Sequence, residues 1–233
     1  MIYFRYRLEA ICMFWRKQRL NYKLDQSFLL NTKLRDMPFT VFDTETTGFA
    51  IAADDGLIEI GAVHVEKSEV TNRVFQTFVK PLGEIPEYIT RLTSIEQYHV
   101  ENAPTALEAI ESYFQFIEDT KSGGWIGHHV SFDTLVIKKE LQRVKYSYEE
   151  PTSFDTLDLI DYLNPYWDQL DLKEYAQLFG TPLFERHRAL GDALTTAHLF
   201  VELLKHLEEK GIITLADLLR LKHSNLRLNT ARF

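Results

Sequence analysis

The stretch Val41-Phe42-Asp43-Thr44-Glu45-Thr46-Thr47-Gly48, VFDTETTG, sets two carboxylates two residues apart at the end of an apolar run that opens at Phe39. Residues i and i+2 of a strand point to the same face, so Asp43 and Glu45 stand side by side. Two anions beside a core strand repel each other and resist desolvation. The pattern calls for a cation between them, and a hard divalent ion such as Mg²⁺ or Mn²⁺ matches a donor set of carboxylate oxygens.

Outward from this first strand, expected over 39–45, the pattern predicts strands over 57–65 and 70–79, paired antiparallel through the charged connection 66–69. A helix is predicted after Ala103, Pro104 and Thr105, ending at about Asp119 before Gly123 and Gly124. A short buried strand over 125–128 and an amphipathic helix over 132–144 follow. Three further helices are expected over 155–163, 171–179 and 188–208. Gly211 ends the last of these, leaving a short helix over 214–220 and a mildly basic tail with Arg227 and Arg232. Antiparallel strands first, then strands alternating with helices, indicate a mixed α/β domain.

A chain of 233 residues, 45% hydrophobic and 13% aromatic, is long enough to bury a full core. Its single cysteine, Cys12, excludes a disulfide framework and a zinc site built from several thiolates, in keeping with a reducing cytosol. The net charge of −8 is unlike the basic surface on which phosphate binding usually relies, but bound divalent ions add positive charge locally. The charge is also uneven: residues 1–37 carry eight Lys and Arg against three Asp and Glu, a surplus of five that leaves −13 for the remainder. There Phe4, Leu8, Ile11 and Trp15 recur at helical spacing. A basic, helical N-terminal extension is expected, packed on the domain or serving as a docking arm for a partner or nucleic acid. Arg5, Arg7 and Arg16 interrupt any membrane-spanning run, and no small-residue cleavage site is evident, so a cytoplasmic location without a membrane partner is expected.

Two more acids break the pattern around them. Asp133 falls on the stripe of Ile137, Leu141 and Val144, and Asp192 shares a face with Ala189, Thr196, Leu199 and Leu203. A helix cap accounts equally well for Asp133, close to its helix start. Asp192 lies inside its helix, where a cap does not explain it. Four acids near a core, from one strand and two helices, are unfavourable unless they meet around shared cations. His187, five residues before Asp192, is placed to act as a general base. Asp155 and Asp158 in FDTLDL read as cap and surface acids.

Three motifs carry a resemblance: FDTETTG at residues 42–48, GHHVSFD at 127–133 and HRALGD at 187–192. In their order and spacing the chain resembles the DnaQ-like, or DEDDh, family of 3′-to-5′ exonucleases, which includes the proofreading epsilon subunit of bacterial DNA polymerase III. The resemblance implies a ribonuclease H-like mixed sheet flanked by helices. Over residues 38–208 it implies an exonuclease domain, between the extension 1–37 and a short C-terminal helix and tail, 209–233. It further implies that Asp43, Glu45, Asp133 and Asp192 bind two divalent ions, Mg²⁺ or Mn²⁺, with His187 as base. Thr46 and Phe132 map to positions that contact terminal nucleotides in relatives, and relatives commonly carry Asn where this chain has His129. The implied reaction is hydrolysis from the 3′ end of nucleic acid to nucleoside 5′-monophosphates, with single-stranded DNA the first choice, in proofreading beside a separate polymerase or in DNA-end trimming. RNA 3′-end trimming is the alternative.

Two rivals stand against this. DTETT also looks like the DxDxT opening of haloacid-dehalogenase-like phosphatases, which requires Asp as the second acid and a parallel-sheet context. An inactive, nucleic-acid-binding or scaffolding version of the exonuclease fold would be expected to lack an acid or the histidine, and all five residues are present.

Overall fold

The computed structural model describes residues 18–24, 27–167 and 170–230, with side chains described up to Lys222. The stripe Phe4, Leu8, Ile11 and Trp15 and the lone Cys12 lie outside the described residues. The strands are β1 (Gln18–Arg19), β2 (Phe39–Thr46), β3 (Leu57–Glu66), β4 (Glu69–Phe78), β5 (Trp125–Gly127), β6 (Tyr146–Ser147) and β7 (Ser153–Asp155). The helices are α1 (Glu87–Thr93), α2 (Gln97–Val100), α3 (Ala106–Asp119), α4 (Val130–Arg143), α5 (Thr156–Leu163), α6 (Leu172–Leu178), α7 (Ala189–Glu209) and α8 (Leu215–Thr230).

Five strands form one mixed sheet in the order β4-β3-β2-β5-β7, antiparallel across β2, β3 and β4 and parallel across β2, β5 and β7. This is the ribonuclease H-like arrangement. The β3–β4 hairpin closes through Lys67 and Ser68, both at positive φ, as a two-residue turn matching strand twist requires. β1 pairs with β6, which ties residues 18–19 to the chain just beyond α4.

Alternation along β2 divides the core. Phe39 and Val41 face one layer with Phe200, Leu203 and Leu207 of α7, Leu159 and Ile160 of α5 and Leu218 of α8. Phe42 faces the other with Tyr113 and Phe114 of α3 and Ile137 and Leu141 of α4. α3 begins at a capping box in which Thr105 and Glu108 satisfy each other's backbone donors.

The structure departs from the sequence expectations in several places. α4 starts at Val130 rather than at 132, and Val144 lies exposed at its C-cap instead of on the buried stripe. α8 runs to Thr230 rather than ending near 220. After Gly211 (φ +80) no Gly or Pro interrupts it, and buried Leu218 and Leu221 anchor it. The short helices α1 and α2 and strand β7 fall below the length at which periodicity separates helix from strand.

Candidate active site

Asp43 and Glu45 continue the Phe39–Val41 face of β2, directed at the start of α7. Asp192 is in the first turn of that helix, and ligand atoms of Asp43, Glu45 and Asp192 lie within 4.8 Å of one another. The helix can come this close because Gly61 of β3 has no side chain: a Cβ there would lie 2.1 Å from the Leu190 nitrogen. At Gly191 a Cβ would lie 1.9 Å from the Glu185 carbonyl oxygen, so this glycine lets the preceding loop fold back over the helix.

Asp133 does not belong to that 4.8 Å group. It reaches the end of β2 from the α4 layer, where its Oδ1 accepts from both the Thr44 amide, 2.9 Å, and the Thr44 hydroxyl, 2.6 Å. The physical reason is local: β5 pairs with β2 only at Thr40 and Val41, and beyond that point the carboxylate takes the place of a strand partner. Asp133 is thus not a helix cap. His129 holds the N-cap position, at φ +63, a left-handed conformation that Asn, Asp and His tolerate best.

Burial dominates the electrostatics. It pushes Asp43 well above the usual carboxylate range, helped by Asp133, Glu45 and Asp192. Burial, then Asp192, Glu59 and Asp133, push Glu45 up to about 8, with Arg186 opposing. Asp133 is raised by burial to about 7 against the lowering effect of the Thr44 donors. Asp192 is raised by burial, although Arg186 and the His187 amide favour its charged form. Each carboxylate is therefore reluctant to ionise without further positive charge.

His187 sits at the turn into α7 with φ +58, and its amide donates to Asp192 Oδ2 at 3.0 Å. Arg186 pairs with Asp192 Oδ1. Arg188 turns the other way, to Glu59 of β3, at 3.2 Å (Nε–Oε2) and 2.9 Å (Nη2–Oε1). The Ala189 amide also donates to Glu59, at 2.9 Å, so this buried acid clamps the first residue of α7.

These groups open into a cleft of about 520 Å³ whose walls include His128, Phe132, Phe49, Leu92, Asp171 and His187. Thr46 lines it, though its hydroxyl is committed to the Gly48 carbonyl at 2.7 Å. Phe132 is half-buried and packs on Phe49, ring centroids 5.8 Å apart, and Phe49 is 82% exposed. His128 is held neutral, with its pKa lowered by burial to about 4, and its Nδ1 lies 2.8 Å from the Thr156 hydroxyl. Asp155 caps α5 and also accepts from the amides of His129 and Val130, fixing the approach of α4.

Sequence reasoning missed Arg186, Glu59, Thr44 and Phe49. Glu59 carried a signal, an acid inside the apolar strand LIEIGAV. Thr44 lies inside the first motif and Arg186 and Phe49 directly beside one, but none of the three carried a signal of its own.

Oxygen-only donors, three of them converging, half-buried at Asp43 and Glu45 and buried at Asp192, and under-neutralised, fit a hard divalent cation. The fold and this cluster define a ribonuclease H-like protein with a carboxylate cluster, suited to a hard cation, where the end of β2 meets the start of α7. The sequence profile of the Exonuclease family matches residues 40–200, and the chain belongs to that family. It is 36% identical over 175 residues to the PolC-type DNA polymerase III of Clostridium perfringens, and 34% identical over 180 residues to that of Caldanaerobacter subterraneus subsp. tengcongensis. These matches cover 75% and 77% of this chain but only 12% of each relative, so the chain spans about an eighth of their length. Among solved structures, Exonuclease X in complex with 5′-overhanging duplex DNA aligns with a TM-score of 0.60 at 21% identity, covering 78% of this chain and 98% of that one. The nuclease domain of 3′hExo, a DEDDh family member bound to rAMP, aligns with a TM-score of 0.64 at 18% identity, covering 75% and 94%. Among the described residues no helix is long and apolar enough to cross a membrane.

Proposed function

We propose that the chain hydrolyses phosphodiester bonds from the 3′ end of DNA, single-stranded where the site engages it, and releases nucleoside 5′-monophosphates. The observation that carries this reading is the convergence of Asp43, Glu45 and Asp192 within 4.8 Å on a cleft also lined by Asp133 and His187, in a chain of the Exonuclease family. Asp43, Glu45, Asp133 and Asp192 hold two divalent ions, Mg²⁺ or Mn²⁺. When bound, such ions stabilise charge on phosphoryl oxygens and lower the pKa of a water.

The chain's own residues do the rest. Thr44 fixes the orientation of the Asp133 carboxylate, and the His187 amide fixes that of Asp192. His187 accepts the proton of the attacking water at an imidazole nitrogen. Phe132, with Phe49 beside it, stacks on the terminal base, and Thr46 lines the path of the 3′ nucleotide. DNA is favoured over RNA because the sequence relatives are named as DNA polymerases. The same context supports replication or repair in the cytoplasm with a polymerase as partner, and the basic surplus of residues 1–37 supports that segment as the one that meets it.

A gel time course with 5′-labelled single-stranded DNA and RNA of one sequence, in Mg²⁺, Mn²⁺ or chelator, tests this. A ladder shortening from the 3′ end of DNA, absent in chelator and in Asp43→Ala, is expected. Faster digestion of RNA would replace DNA as the substrate, and correctly folded protein that digests neither would overturn the catalytic reading. His187→Ala should lose roughly 10²–10⁴-fold in rate with metal binding retained.

A further inference from the structure

Two arginines flank His187, and they are held differently. Arg188 spreads two nitrogens over both oxygens of Glu59, whose carboxylate also accepts from the Ala189 amide and from Gln76 at 2.7 Å. That pair is complete, and it holds a fold element in place. Arg186 contacts one oxygen of Asp192 through one nitrogen, its side chain is 27% exposed against 8% for Asp192, and it lines the cleft.

We infer that Arg186 is an exchangeable counter-cation: it neutralises Asp192 while the site holds no divalent ion, is displaced when one binds, and then serves as a contact for a substrate phosphate. The inference rests on reading the acid cluster as a metal centre. Charge balance drives the exchange. Four ionised carboxylates match two divalent ions, so a guanidinium left on Asp192 would be surplus positive charge beside them. It would also compete for one of the oxygens a metal needs. Displacement need not disturb the rest of the site, because the Asp192 carboxylate stays oriented by the His187 amide on its other oxygen. A freed guanidinium on the wall of a cleft that receives a phosphodiester matches that anion in charge and in its forked donor geometry.

The test compares wild type, Arg186→Gln and Arg186→Lys by Mn²⁺ titration calorimetry, thermal melting in chelator and in saturating Mn²⁺, and steady-state kinetics on a single-stranded oligonucleotide. Arg186→Gln should bind Mn²⁺ about five-fold or more tightly, because the competitor is gone. It should melt below wild type in chelator, where Asp192 is left unpaired, and regain the wild-type melting temperature in Mn²⁺, which shows that the fold is intact. Arg186→Lys, which keeps the charge, should stay near wild type in both respects. The oligonucleotide KM of Arg186→Gln should rise about ten-fold, with a smaller change in kcat.

Unchanged or weaker Mn²⁺ affinity in Arg186→Gln, with clear binding by wild type, overturns the exchange and leaves the metal centre standing. Equal behaviour of the Gln and Lys variants overturns it as well, since charge would then not be the cause. A gain in Mn²⁺ affinity with an unchanged KM overturns the phosphate contact. Absence of Mn²⁺ binding in all three proteins overturns the metal-centre reading itself, and this inference with it.

Discussion

Glu45 and Glu59 are direct partners across β2 and β3, yet they occupy opposite situations. Glu59 is fully buried and fully answered: Arg188, the Ala189 amide and Gln76 surround its carboxylate. Glu45 stands with Asp43 and Asp192, and burial and the neighbouring acids disfavour the charged forms of both Glu45 and Asp43. A buried anion with charged and polar partners is a structural element, and breaking such a pair is costly. A cluster whose members raise one another's pKa is unstable alone and gains from a ligand that only the folded chain can bind. The contrast separates the acid that holds α7 in place from the acids that α7 is held in place to serve.

The largest effect should come from removing an acid on the unanswered side. Asp43→Asn should cost about 10⁴-fold in turnover, several kcal/mol of lost charge stabilisation, while raising the melting temperature in chelator, because one source of repulsion disappears. A parallel loss of activity and of metal-free stability would break the contrast. On the answered side, Glu59→Ala should destabilise the chain by about 3–5 kcal/mol through the stranded Arg188, measured by urea unfolding. A cost of only a few tenths of a kcal/mol would show that Glu59 does not clamp α7.

Acidity sharpens the same comparison. Burial raises the folded-state pKa values of Asp43, Glu45, Asp133 and Asp192, Glu45 to about 8 and Asp133 to about 7. The folded chain therefore holds protons on these groups that the unfolded chain has already released. Their contribution to stability is complete below the unfolded carboxylate range, at about pH 4, and is lost as pH rises through about 7 to 8. In chelator the melting temperature should fall between about pH 5 and pH 8. Divalent metal should cancel that fall by taking the place of the protons. A flat profile in chelator would mean that the cluster is less buried than its surroundings imply. The smallest effect is expected at the cleft rim, where Phe132→Ala should weaken oligonucleotide affinity by about 1–3 kcal/mol, the range for one stacked base.

Much of the fold was legible because it is written in short-range patterns. The apolar stretches along 39–45 and 57–65, the helix start after Ala103, Pro104 and Thr105, and Gly211 each act within a few residues of themselves, and β2, β3, α3 and the end of α7 lie close to where those signals put them. The antiparallel β2–β3–β4 unit also removes the phosphatase rival, which requires a parallel context. What was not legible is either too short to show a period, as in α1, α2 and β7, or lacks a stop signal, as in α8, whose length is set by packing Leu218 and Leu221.

The sequence by itself determined the chemistry on offer: four acids and a histidine in three motifs, oxygen donors suited to a hard cation, and the family in which that set occurs. Local spacing suffices for this, since i and i+2 on a strand or the first turn of a helix orient a side chain without reference to the rest of the chain. Only the tertiary structure decided how those acids divide. It brings Asp43, Glu45 and Asp192 within 4.8 Å, holds Asp133 against Thr44 from the other layer, gives Glu59 to Arg188 and sets Arg186 on Asp192. Each of these pairings except the last joins residues far apart in sequence. The approach of α7 to β3, which Gly61 permits, brings Asp192 to the acids of β2 and Arg188 to Glu59, while Gly191 lets the preceding loop lay Arg186 over Asp192.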